Sequence, residues 1–158
     1  MLAEDTSSNK HLFAAQLKFD LNYDYDYEYL YTLKKINTEC TTMISFNNQG
    51  YYAKDSAIYK ISGECVKTFT DLIIYCLDYS KENNYLVVGT SNGIYILNPN
   101  TFEEIYHPNS TNATHIKYIS QTKNLIYYST DTVLYVIRIN HINNTFDPGI
   151  LVSESSYI

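Results

Sequence analysis

Side chains able to do acid–base, nucleophilic or metal chemistry are few and scattered. Four histidines (His11, His107, His115, His141) and three cysteines (Cys40, Cys65, Cys76) are spread over 158 residues. No His or Cys stands at metal-ligand spacing from another, and no CxxC occurs. A GxSxG nucleophile turn and a glycine-rich phosphate loop are both missing. Glu103 and Glu104 are adjacent, so a strand would send their carboxylates to opposite faces, unsuited to paired acid–base work. Their plainer role is a charged edge that discourages unwanted strand pairing. An odd number of cysteines without a close pair gives no disulfide framework and reads as three reduced thiols. No catalytic residue, metal or cofactor is expected.

A denser pattern lies at 23–31, YDYDYEYLY. In a strand, Tyr23, Tyr25, Tyr27, Tyr29 and Tyr31 would share one face, with Asp24, Asp26 and Glu28 on the other. One reading is an acidic loop running into an outer strand whose rings pack on a neighbour. The other is an acidic aromatic surface for a basic protein partner, with Tyr23, Asp24, Tyr25, Asp26, Tyr27 and Glu28 as candidate contacts. The net charge of −6, with 11 Lys and Arg scattered singly, argues against nucleic acid and against an anionic membrane surface. No apolar run approaches the ~18 residues of a membrane-spanning helix. The first ten residues, MLAEDTSSNK, carry no apolar signal-peptide core, so the chain is expected to be intracellular and cytoplasmic.

The elements that would position these residues are short strands. The stretch 84–106, NYLVVGTSNGIYILNPNTFEEIY, alternates β-branched and aromatic runs with Asn-Gly and Asn-Pro turns, a hairpin signature. It recurs. Residues 74–106 align with 114–146 at an offset of 40, placing LVVGTSNGIYIL on IYYSTDTVLYVI. YYAKDSAIYKI from Tyr51 aligns with VVGTSNGIYIL from Val87 at an offset of 36. Each copy reads as four strands. These are 42–46, 51–53, 57–61 and 65–69; then 73–79, 85–89, 94–97 and 103–106; then 115–119, 125–129, 133–139 and 144–146. The turn between second and third strands carries Asp55, Asn92 with Gly93, or Asp131, residue types that stabilise tight turns through their own side chains or by tolerating positive φ. No long amphipathic helix interrupts the pattern, which excludes βαβ units.

Four short strands repeating at this interval match a β-propeller blade in size. The three copies resemble divergent WD-repeat blades. Ser91-Asn92-Gly93-Ile94-Tyr95-Ile96-Leu97-Asn98 is similar to that family's third strand, with Leu97 and Asn98 in place of its Trp-Asp, while the Gly-His pair at the blade entrance is missing. GTSNGIYILNP also resembles repeats of the citron-homology type. The resemblance implies an all-β propeller-like fold. Residues 1–10 form a loose start, 11–36 a partial blade around the Tyr/Asp tract, 37–70, 71–110 and 111–147 three blades, and 148–158 a tail or the first strand of a further blade. Within 11–36, residues 11–21 read as helix or strand. About three and a half blades fall short of the four to eight of closed propellers. The ring is expected to be incomplete, completed by a protein partner or by self-association, or else a minimal four-bladed ring. An antiparallel sheet outside the propeller class stays as the alternative fold.

The expected function is a non-catalytic protein–protein interaction module or assembly subunit. The alternatives are a propeller-channel hydrolase, or a trafficking or kinase-associated regulator of the citron-homology type. Ile96 falls in the most apolar strand of the middle copy. Ile96→Asp is expected to bury an unpaired charge and abolish the cooperative thermal transition, a loss above about 4 kcal/mol. A melt like that of the wild type would refute the strand assignment.

Overall fold

A computed structural model describes residues 2–4, 10–19, 29–36, 39–108, 114–147 and 150–154. Among these residues every regular element is a β-strand and every pairing is antiparallel. They divide into two units, 1–40 and 41–158.

The first unit is a three-stranded sheet of β1 (Leu2–Glu4), β2 (Lys10–Phe19) and β3 (Tyr29–Ile36), in the order β1-β2-β3. Leu2–Glu4, expected within a loose start, is paired residue for residue with Leu12, His11 and Lys10. Of helix and strand for 11–21, strand is found over Lys10–Phe19. The β2–β3 hairpin runs from Leu12↔Ile36 to Phe19↔Tyr29. Tyr23, Asp24, Tyr25, Asp26, Tyr27 and Glu28 lie outside the described residues.

The second unit holds three sheets, each an up-and-down run of four strands. The first is β4 (Thr42–Phe46), β5 (Gln49–Lys54), β6 (Ala57–Lys60) and β7 (Cys65–Thr68). The second is β8 (Ile74–Ser80), β9 (Tyr85–Thr90), β10 (Gly93–Leu97) and β11 (Glu104–Tyr106). The third is β12 (Tyr118–Gln121), β13 (Leu125–Ser129), β14 (Val133–Asn140) and β15 (Thr145–Phe146). A fifth strand, β16 (Ile150–Glu154), also pairs with β14.

Local chemistry explains the strand ends. Asn47 and Asn48, joining β4 to β5, both have positive φ, 49° and 59°. A two-residue hairpin loop of this kind needs such values, and asparagine tolerates them. Between β9 and β10 the Thr90 hydroxyl accepts from Asn92 N at 3.0 Å and donates to Gly93 O at 2.8 Å, while Gly93 takes φ 90°. Thr130 does the same work before β14, accepting from Thr132 N at 3.2 Å and Val133 N at 3.1 Å. Turn capping expected from Asn92 and Asp131 thus comes from threonine hydroxyls one or two positions earlier. Asp55 supplies positive φ, 53°.

The sheets repeat in more than strand count. Tyr52 pairs with Tyr59 across β5–β6, and Tyr128 with Tyr135 across β13–β14. Both pairs stack, at 5.3 Å and 15° and at 5.2 Å and 13°. The third strand of each sheet slips register against an outer strand, at Ile58/Tyr59, Ile96/Leu97 and Leu134/Tyr135. Such bulges twist a sheet locally.

The second sheet is the centre. Its alternation sends Leu86, Val88 and Leu97 into one core with Phe46, Tyr51, Ala53 and Ile58 of the first sheet. Val87, Ile94 and Ile96 go into a second core with Ile126, Tyr128, Ile137 and Ile139 of the third. All six of these central side chains have 0% exposure, so both faces of β9–β10 are dry. Between sheets, first strands lie beside first strands: β4 by β8, and β8 by β12. Main-chain bonds tie each junction, Ile74 N donating to Asp55 O at 2.8 Å and Ile116 N to Thr90 O at 3.0 Å.

Two expectations are corrected. The first strand of the third sheet begins at Tyr118 instead of His115. His115 takes φ 60°, and the next two amides are committed elsewhere, Ile116 N to Thr90 O and Lys117 N to Ser129 O. Residues 150–154 extend the third sheet along β14 instead of opening a further one.

Gly89 shows how tightly the second and third sheets meet. An added Cβ would stand 2.9 Å from Ile116 Cγ2 and 3.0 Å from Ile116 O, and would also press on Cys76 Sγ. At Gly50 the nearest obstacle is the flexible end of Ile61, 2.5 Å away. Gly89→Ala should therefore cost about 1–3 kcal/mol in urea unfolding, and Gly50→Ala clearly less. Equal costs would contradict this packing.

Candidate functional site

Described residues of 41–158 line an open groove where the first two sheets meet, with a volume near 420 Å³. Asn47 from the β4–β5 turn and Asn100 from the β10–β11 turn stand on facing sides, joined by an amide hydrogen bond of 3.1 Å. Asn100 is held by an Asx turn. Asn98 Oδ1 accepts from Asn100 N at 2.9 Å and Thr101 N at 3.3 Å. That turn also drives Phe102 inward with φ 58°, a strained value for a bulky residue. The Phe102 ring packs 5.5 Å from Tyr51 and 6.4 Å from Phe46. Lys60 and Glu64 complete the rim with an ion pair of 2.7 Å across the β6–β7 turn. The carboxylate bonded to Lys60 raises its pKa, keeping the ammonium charged. Both partners are substantially exposed, so the pair adds little stability.

This groove can hydrogen-bond a polar ligand or an extended backbone, but its residues lack a catalytic arrangement. The exposed Cys65 thiol lies 3.4 Å from Thr68 Oγ1 and 3.8 Å from Lys67 O, neither of which is a general base.

Elsewhere several titratable residues make structural contacts. His107 lies flat on Tyr95, centroids 4.0 Å apart and planes 2° off parallel, and its Nδ1–H donates to Ile94 O at 2.7 Å. His115 stacks on Tyr75 at 5.6 Å. His141 donates from Nε2 to Lys123 O. Glu103 accepts from the Thr101 hydroxyl at 3.1 Å. Asp131 pairs with Lys117 at 2.5 Å, which raises the lysine pKa. Among the described residues no three His, Cys, Asp or Glu side chains converge as metal ligands would. No described helix is long and apolar enough to cross a membrane.

A polar seam joins the second and third sheets. Asn83 Nδ2 donates to Thr122 O at 2.7 Å, and Gln121 Nε2 to Asp78 Oδ2 at 3.0 Å. Nothing in the sequence distinguished these residues from ordinary turn positions.

The other feature of note is apolar. β13–β14 register places Tyr127, Leu134 and Val136 on one face of the third sheet, opposite the face that enters the core. Tyr118 at 65% exposure and Ile150 at 61% extend that face. Ser120, Ser129 and the exposed Arg138 share the same face.

No protein-family model matches the chain, and no curated protein matches it.

Cys76 offers a check on the junction between the second and third sheets. Its thiol donates to Ile116 O at 3.4 Å, and burial pushes its pKa from 9.0 to about 12. The unfolded chain therefore releases this proton first as pH rises. Stability from Cys76 is intact below pH 9 and is lost above it, by up to about 1.4 kcal/mol per pH unit. Between pH 8 and 10, wild type should lose more stability than Cys76→Ala in urea titrations. Parallel losses would contradict a buried neutral thiol.

Proposed function

We propose that the chain is a non-catalytic protein–protein interaction module built on WD-repeat-like propeller blades. The observation that carries this reading is the outer face of the third sheet, where Tyr118 and Ile150 are exposed and Tyr127, Leu134 and Val136 are half-buried outside both cores. Other features support the propeller form. Each sheet is a four-strand meander, neighbouring first strands lie together as blades do around an axis, and the Tyr52–Tyr59 and Tyr128–Tyr135 pairs recur at equivalent positions. Rigid sheets with short polar turns suit recognition.

The hydrolase alternative needs carboxylates or histidines converging at one rim, and no described cluster supplies them. The regulator of citron-homology type is a variant of the same binding role and rests on the GTSNGIYILNP stretch.

Cross-linking with mass spectrometry tests the reading. Lys117, just before the third sheet's first strand, and Lys123, in the turn after it, should link to a polypeptide other than their own chain, whether a different protein or another copy. Isotope-mixed samples distinguish links between copies from links within one. Turnover of glycan or lactone substrates above that of heat-unfolded protein, with no such links, would overturn it.

A further inference from the structure

The three sheets share a pairing detail that identifies their fourth strands. In the first sheet, pairing steps from Ile58↔Lys67 to Tyr59↔Cys65 and passes over Val66. In the second it steps from Ile96↔Tyr106 to Leu97↔Glu104 and passes over Ile105. In the third the same step lies between β14 and β16, from Leu134↔Ser153 to Tyr135↔Leu151, and passes over Val152. Each time the extra residue sits on the strand bordering the third strand, and each time it is β-branched. The 36- and 40-residue offsets carry Ile58 onto Ile94 and then onto Leu134, so the first and third bulges stand at equivalent positions. The β14–β15 pairing, Ile139↔Phe146 and Asn140↔Thr145, has no such step.

β16 thus holds the place of β7 and β11, and the hairpin before it is an addition. Residues 61–64 join β6 to β7, and 98–103 join β10 to β11. Residues 137–149 separate the part of β14 that pairs with β16 from β16 itself. This longer connection lets β14 run on to Asn140 and turn back as β15. The added hairpin is fixed to two sheets. Phe146 stacks on Tyr106 of β11, centroids 5.0 Å apart at 18°, and meets Tyr85 of β9 at 5.3 Å. Ile139, opposite Phe146, is 4% exposed and lies in the core shared by the second and third sheets. Ile139 N donates to Asn124 O at 2.8 Å and His141 Nε2 to Lys123 O, both in the β12–β13 turn. Burial raises the Tyr106 pKa and the Asp147 carboxylate adds to the rise, so the end of the hairpin also borders this ring. Beside β7, Cys65 and Val66 line an open groove; beside β11, Phe146 lies on Tyr106.

We propose that β16 is the fourth strand of the third repeat, and that the β14–β15 hairpin is an inserted clasp that fastens the third sheet to the second and limits their separation. Residue-resolved hydrogen exchange of the full chain tests both halves. In the wild type the amides of β16 that bond to β14 should outlast those of β15, because a fourth strand is released only when its sheet opens. Ile116 N bonds across the second and third sheets and Ile74 N across the first and second, so the two amides report the two junctions separately. Phe146→Ala removes both ring contacts and should speed exchange at Ile116 at least about tenfold while leaving Ile74 unchanged. If this variant does not fold, Phe146→Leu, which fills the space without the ring, decides. β16 amides that exchange before those of β15 overturn the strand assignment. An unchanged rate at Ile116, or equal acceleration at Ile116 and Ile74, overturns the clasp.

Discussion

Leu86, Val87 and Val88 are consecutive, and each is fully withdrawn from water. Because strand side chains alternate, this requires apolar cover on both faces of β9 at once. The same holds for Ile94, Ile96 and Leu97 of β10. An antiparallel sheet usually wets one face; this one cannot. The first sheet covers one side and the third covers the other, so the second unit is organised as three layers around a dry central hairpin. Gly89 is small because the Ile116 backbone crosses there, and Cys76 is a neutral thiol because it is buried in the same place.

Much of this was legible in the sequence because it is local. Apolar runs at 85–89, 94–97, 125–129 and 133–139 are strands within about a residue of the expected bounds. Asn-Gly and Asn-Pro marked real turns, and the repeat offsets align residues that pair identically, as Tyr59 and Tyr135 do. What was missed depends on partners distant in sequence. His115 reads as part of a strand, but it takes φ 60° and the next amide, Ile116 N, bonds to Thr90 O at the end of β9 in the second sheet, so the strand begins at Tyr118. Ile150–Glu154 reads as a tail or as the first strand of a further blade, and only its pairing with β14 places it in the third sheet. Thr90 and Thr130 were passed over as caps because Asp and Asn are the stronger turn formers in general, whereas here hydroxyl geometry fits the loop.

The candidate site was less legible, for a physical reason. A binding face without catalytic residues leaves no motif of fixed spacing, only apolar side chains in places where a folded sheet would otherwise be wet. Tyr127, Leu134 and Val136 look in sequence like any half-buried strand. His107, His115 and His141, of the histidines that drew notice first, act as ring stacks or hydrogen-bond donors that hold connecting segments.

Native-state hydrogen exchange tests the central arrangement most directly. If the β9–β10 hairpin is the layer on which the other two depend, its amides, from Leu86 to Val88 and Ile94 to Leu97, should exchange last and only through global unfolding. Protection in the first and third sheets should disappear at or before that point. Strands of either outer sheet that stay protected after β9 and β10 have exchanged would contradict the account.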